Sequence, residues 1–203
     1  MSKSSPILSS NPLDVLLRHD HWGTRRVLEV CRELTPDQFR QRFDMGPGSL
    51  HETLTHLIGA MRRWADRLLQ RPIRPAVDNP PRNVGMPSDY RVRTPDELIA
   101  MLDEAAKELA AIAGDIQMPG GVGLASEIEF ALDGTTYKTT RGAGLVHVTT
   151  HGTHHRAQCL NMLRRLGVTR LPELTVVDWQ SEVETRKVEA GARRNVVATQ
   201  VLG

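Results

Sequence analysis

A mostly α chain, folded as a four-helix up-down bundle with a long proline-rich connection and a small β-hairpin insertion, is the fold class the sequence predicts. Four segments carry apolar residues at helical spacing between recognisable caps. Between Gly120 and Gly144 the pattern changes to two short strand-like runs around Asp133-Gly134. The 203 residues suit one domain with a real core, and neither a repeat nor a low-complexity segment interrupts it.

The elements follow in order. Asn11 reads as a cap and Pro12 as the first helical position of a helix reaching Leu34, with Leu13, Leu16, Leu17, Val27, Val30 and Cys31 among its apolar residues. A polar stretch containing TPDQ and GPGS follows. Ser49, with Glu52 three residues on, has the spacing of a capping box and opens a second helix to about Gln70. Its core stripe is Leu50, Leu54, Leu57, Ile58, Met61, Ala65 and Leu68. Residues 71–95 hold six prolines and are too long for an ordinary bundle loop, so they read as a surface excursion or a lid. Thr94 caps a third helix over PDELIAMLDEAAKELAAIAGDI, with Pro95 first and Asp96 and Glu97 in its opening turn. EIEFAL and TTYKTT flank Asp133-Gly134 as a hairpin. A last helix runs from near Gly144 to Leu166 and stops at Gly167. The domain reading is an N-terminal extension over 1–10, a single bundle over 11–190 and a C-terminal tail over 191–203.

Composition removes several function classes. Lys and Arg number 26 against 24 Asp and Glu, a formal charge of +2, and the signs are mixed along the chain. No nucleic-acid or membrane-surface footprint follows from that, so neither partner is expected. The first residues lack the apolar core of a signal peptide, and no apolar run approaches a membrane span. Cys31 and Cys159 are unclustered, which fits a reducing compartment and a cytoplasmic location.

The chemistry concentrates in LVHVTTHGTHHRAQ, residues 145–158, which hold His147, His151, His154 and His155, half of the eight histidines. At about 100° per residue, His151 and His155 lie side by side on one helix face, with His147 a turn earlier and His154 on the flank. Zinc takes imidazole nitrogen at roughly 2.0–2.1 Å, and two ligands on one rigid helix are held near the needed separation before an ion arrives. One straight helix cannot surround an ion, so a third ligand must come from elsewhere. His19, His21, His51 and His56 are the candidates. The second helix offers the better donors, but its wheel does not choose between His51, at the margin of the apolar stripe, and His56, beside Thr53, Ala60 and Trp64. The competing reading is a polar helix face whose histidines bond carbonyls or one another. Leu145, Val146 and Val148 before the cluster and Leu160, Met162, Leu163 and Leu166 after it mark a core helix rather than a metal-binding tail.

HETLTHLIGAMRRW followed by LVHVTTHGTHHRAQCLNMLRRLG resembles the DinB/YfiT-like superfamily of metal-dependent four-helix bundles, and HDHWGTRRVLEVC is similar to the first helix of that family. The resemblance implies a ligand set made of a second-helix His followed by an apolar residue and the two His of an H-x-x-x-H segment. Here these fall on His56, His151 and His155. Arg156 and Gln158 match the usual Arg-Gly-Gln that follows, with Ala157 in the place of Gly. The resemblance also implies a divalent transition metal, zinc or nickel first, with iron and manganese as further candidates. It does not explain the 71–95 excursion or the tail.

Three neutral imidazoles leave a coordination position open, where water is acidified toward pKa 7 or a thiolate is held. The expected function is a metal-dependent enzyme acting on a small molecule, by hydrolysis or by thiol (S-) transfer with a low-molecular-weight thiol. The alternative is a non-catalytic, stress-associated metal-binding homodimer. Hydrolysis wants a carboxylate base, and Leu145–Gly167 contains no Asp or Glu, which leaves Asp20, Glu52 and Asp178 and tilts the reading toward thiol chemistry. His147 is the candidate catalytic base, and Arg156 the candidate catalytic group for a substrate carboxylate. Cys159 faces the same side as His155, but a buried cysteine usually packs as a small hydrophobe.

Overall fold

The computed structural model describes residues 11–78, 87–132 and 134–183. The expected extension 1–10, the tail 191–203, the middle of the proline-rich connection and Asp133 of the expected turn lie outside the described residues.

Helix α1 spans Pro12–Cys31, and the Asn11 side chain accepts the Leu13 N–H at 3.0 Å, as its capping position requires. It ends three residues before Leu34. The stretch TPDQ, read as a polar connection, instead forms a short helix α2, Pro36–Arg40. Thr35 and Gln38 close a reciprocal capping box there, with Pro36 first, so its start signal was present in the sequence. Helix α3 spans Leu50–Leu68, and Ser49 Oγ accepts the Glu52 N–H at 3.1 Å. The other half of the expected box is replaced: Glu52 Oε2 accepts from Ser49 Oγ at 3.1 Å and Oε1 from Arg42 at 2.7 Å.

Thr94 and Glu97 form a full capping box at the head of α4, Pro95–Gln117. Strands β1, Glu127–Leu132, and β2, Thr135–Thr140, pair antiparallel from Glu127 opposite Thr140 to Leu132 opposite Thr135. Gly134 takes φ +77°, a conformation the tight turn needs and a side chain resists. Helix α5 spans Arg141–Arg165 with Thr140 as its cap, three residues earlier than the apolar pattern suggests. Gly142 and Gly144, poor helix formers, hide that first turn from a periodicity argument.

Helix α1 packs on α4 and α5, and α3 packs on α5 and α4, so α1 and α3 occupy opposite corners of the bundle. Leu28, Leu54, Leu57, Ile58, Leu102, Leu109, Leu145 and Met162 are fully enclosed between them. Each such side chain contributes about 2 kcal/mol of burial. The whole expected stripe of α3 is buried, and so are His51 and His56, because this helix is covered nearly all round. That places His56 inside the protein.

The proline-rich connection returns on itself. Asp66, fully enclosed at the end of α3, accepts from Arg71 Nε at 2.7 Å and from the Arg74 N–H at 3.0 Å. The two arms then meet: the Ala76 N–H donates to the Pro87 carbonyl at 2.8 Å and the Asp89 N–H to the Ala76 carbonyl at 2.7 Å. Residues 76–78 are buried against the bundle.

By its contacts the chain divides into two compact units, Met1–Leu171 and Pro172–Gly203. The second contains a helix over residues 176–183, where Thr175 Oγ1 accepts the Asp178 N–H at 3.1 Å. No helix among the described residues is long and apolar enough to cross a membrane.

Candidate metal centre

The three histidines meet where α3 faces α5. His151 and His155, one turn apart on α5, put their ring centroids 4.4 Å apart, and His56 enters from α3 at 5.1 and 4.9 Å from the two rings. Each offers one ligand nitrogen, and the three atoms lie within 4.8 Å of one another. His56 and His155 are buried and His151 is half-buried, so the group is reachable from one side.

Proton positions decide what this group can hold. Asp78 Oδ2 lies 3.0 Å from His56 Nδ1, and the same carboxylate takes the Arg63 guanidinium at 2.7 and 3.2 Å. Burial alone would raise the Asp78 carboxyl, but the hydrogen bonds from His56 and Arg63 and the Arg63 charge outweigh it and hold the group down at about 2. An ionised carboxylate only accepts, so His56 Nδ1 carries the proton and Nε2 presents a bare lone pair. On the other side His155 Nδ1 donates to Gln158 Oε1 at 2.8 Å, while the Gln158 amide nitrogen donates to His154 Nε2 at 3.0 Å. In the neutral ring this leaves His155 Nε2 as the unprotonated nitrogen too.

Both bare nitrogens face His151 Nε2, at 3.2 and 3.1 Å. One N–H at most can sit on that atom, so His151 can donate to only one of the two. A cation among the three nitrogens satisfies all of them. The two separations to His151 are also close to the roughly 3.3 Å between two ligands of a tetrahedral ion with 2.0–2.1 Å bonds. The residues fit a divalent transition ion, with His56 and His155 oriented from behind as metal-binding histidines characteristically are.

Comparison of the sequence with protein-family models matches the DinB family over residues 8–186, most of the chain. The chain belongs to the DinB family. A search of curated proteins finds no similar sequence. The helical bundle with its hairpin is the DinB fold, and His56, His151 and His155 form a group that could hold a metal ion.

The other sequence candidates in this DinB-family chain are distributed differently. Arg156 is buried and ion-paired to Asp20 of α1, with Thr24 Oγ1 at 3.2 Å and Thr153 Oγ1 at 3.0 Å. These bonds tie α5 to α1. Asp20 is consumed by the same pair, Glu52 by Ser49 and Arg42, and Asp178 by Thr175. His147 is exposed on the flank, 5.5 Å from the His151 ring and 4.9 Å from Trp64. Partial shielding of its ring from water and the nearby Arg67 charge lower its pKa, which favours the neutral form. Cys159 is fully enclosed, and burial pushes its thiol up to about 12, which suits packing and not nucleophilic chemistry. His21 bonds Asp103 at 2.7 Å, and His19 stacks near Trp22.

Sequence reasoning missed Asp78, and it missed Gly152. A Cβ at Gly152 would stand 2.0 Å from Asp20 Oδ1. This glycine lets the Asp20–Arg156 pair lie across α5 within one turn of His151 and His155.

Proposed function

We propose that this protein is a metal-dependent enzyme that acts on a small molecule at the His56, His151 and His155 centre, by thiol (S-) transfer in preference to hydrolysis. The observation that carries it is the pair of unprotonated Nε2 atoms, fixed by Asp78 and Gln158, that converge on His151. Three neutral imidazoles add no negative charge, so an ion held there keeps its full Lewis acidity. When bound, a divalent ion supplies a positive charge and an open position at which a thiol or a water loses its proton near neutral pH.

This chain's own groups favour the thiol. Asp78 is hydrogen-bonded to the cluster through His56, and it holds the far side of that ring while pairing with Arg63. It orients a ligand and is not placed to take a proton from water. Asp20, Glu52 and Asp178 are engaged elsewhere. His147, one turn before His151 on α5, is the group that receives or returns a proton at the solvent side.

Cobalt-loaded protein titrated with a low-molecular-weight thiol such as N-acetylcysteine tests the reading. A new near-ultraviolet sulfur-to-cobalt band, lost in His155→Ala, is the expected result. An unchanged cobalt spectrum at saturating thiol sinks thiol transfer and returns the reading to hydrolysis.

A further inference from the structure

A cavity of about 620 Å³ lies away from the histidines, between α3, the two arms of the proline-rich connection and α4. Its volume is in the range of small-molecule sites. Arg62, Arg74, Arg91, Arg93 and Lys107 line it. Asp89, Glu104 and Glu108 are the carboxylates of the same wall and Glu97 beside it pairs with Arg91, so five cations stand against four carboxylates and one positive charge is in excess.

The pairing within the wall decides where that excess sits. Arg74 pairs with Glu108 at 2.9 Å, Arg93 with Asp89 at 3.1 Å and Arg91 with Glu97 at 2.6 Å. Arg62 and Lys107 have neither an ion pair nor a hydrogen-bonded partner for their side chains among the described residues, and Glu104, exposed on α4, has none either. The Arg62 guanidinium is half-buried, and its pKa is lowered first by burial and then by Arg74. The nearby Asp66 and Asp89 carboxylates act on it in the opposite sense, and Arg93 in the same sense as Arg74. Arg93 is 3% exposed, yet its Nε has no hydrogen-bond partner. A cleft with donors left over and positive charge uncompensated is complementary to an anion, which Arg binds through paired N–H groups.

We infer that this cleft is a second ligand site, separate from the three histidines, for a small molecule bearing a carboxylate or phosphate group. Arg62 and Lys107 supply the uncompensated charge from α3 and α4, and Arg93 supplies donors from the returning arm of the connection. The long connection then has a binding role beyond carrying Asp78. Arg74 and Arg93 stand on its two arms, so an occupant touches both at once and holds them together.

Calorimetric titration of the full chain with succinate and with inorganic phosphate, at constant ionic strength, tests the site. Saturable binding of at least one probe is expected, and which of them binds identifies the anionic group. Arg62→Gln and Lys107→Gln should each weaken it by about ten-fold, the loss of one charge-assisted contact. Neither side chain holds another residue, so both variants should keep the parent's circular dichroism and thermal transition. His155→Ala should leave the affinity unchanged, which separates this site from the histidine centre and lets it stand even if that centre binds no metal. Absence of saturation with both probes, wild-type affinity in Arg62→Gln and Lys107→Gln, or loss of binding in His155→Ala would each overturn the inference.

Discussion

His56 is a ligand candidate because of what happens on its other nitrogen. With Asp78 accepting from Nδ1–H, the ring is oriented so that Nε2 faces His151. Asp78→Asn, which keeps the shape but removes the charge, is therefore expected to weaken metal binding by about 10- to 100-fold. Competition against a chromophoric chelator reads this directly, and unchanged affinity would mean that Asp78 only packs. Gly152→Ala tests a different residue-scale claim, that α5 needs a bare backbone opposite Asp20. Overpacking there should cost about 1–3 kcal/mol in urea unfolding. At this scale the sequence was informative about pairs on one element and silent about pairs across elements. The spacing of His151 and His155 put them together, and resemblance chose His56. Asp78 sits 22 residues from its partner on an irregular connection, where no periodicity points to it.

Elements were legible where they carried caps and a period, as α4 did, and blurred where they did not. The short α2 was lost because five residues give no periodicity, although Thr35, Pro36 and Gln38 marked its start. The connection after α3 was recognised as unusual in length, but nothing local revealed that it folds back and docks. Part of that docking is a single imidazole: His51 Nε2 accepts the Arg93 N–H at 3.1 Å, and its ring meets Phe39 and Tyr90 edge-on. A protonated ring cannot accept. Burial chiefly, with Arg40 and Arg93 in the same sense and Glu52 opposing, lowers its pKa from 6.5. In the window below 6.5 the unfolded chain binds more protons at this site than the folded one, so stability rises with pH there. The contribution is complete above about 6.5 and is lost as pH falls toward the folded value. Urea unfolding at pH 5 and pH 7.5 should show a smaller pH difference for His51→Phe than for the parent, and equal differences would assign the slope to other histidines.

At the scale of the whole molecule the bundle brings two distant stretches of chain face to face. α3 and α5 lie side by side along their lengths, with α1 tied to α5 by the Asp20–Arg156 pair and the returning connection closing over α3. This is why a cluster written 95 residues apart in the sequence is a single site in space. The fold class could be read from four capped amphipathic segments and a hairpin signal. The order of the helices around the bundle could not, because the wheel of each helix shows how wide its apolar face is and not which neighbour covers it. What the arrangement implies is a three-histidine group that could hold a cation. Elemental analysis of tag-free protein, after exposure in turn to zinc, nickel, iron and manganese, tests that most directly. The expected result is about one transition ion per chain, lost in His56→Ala and in His155→Ala while the helical circular dichroism persists. Protein that retains and takes up none of these ions, or variants that bind as the parent does, would contradict the account.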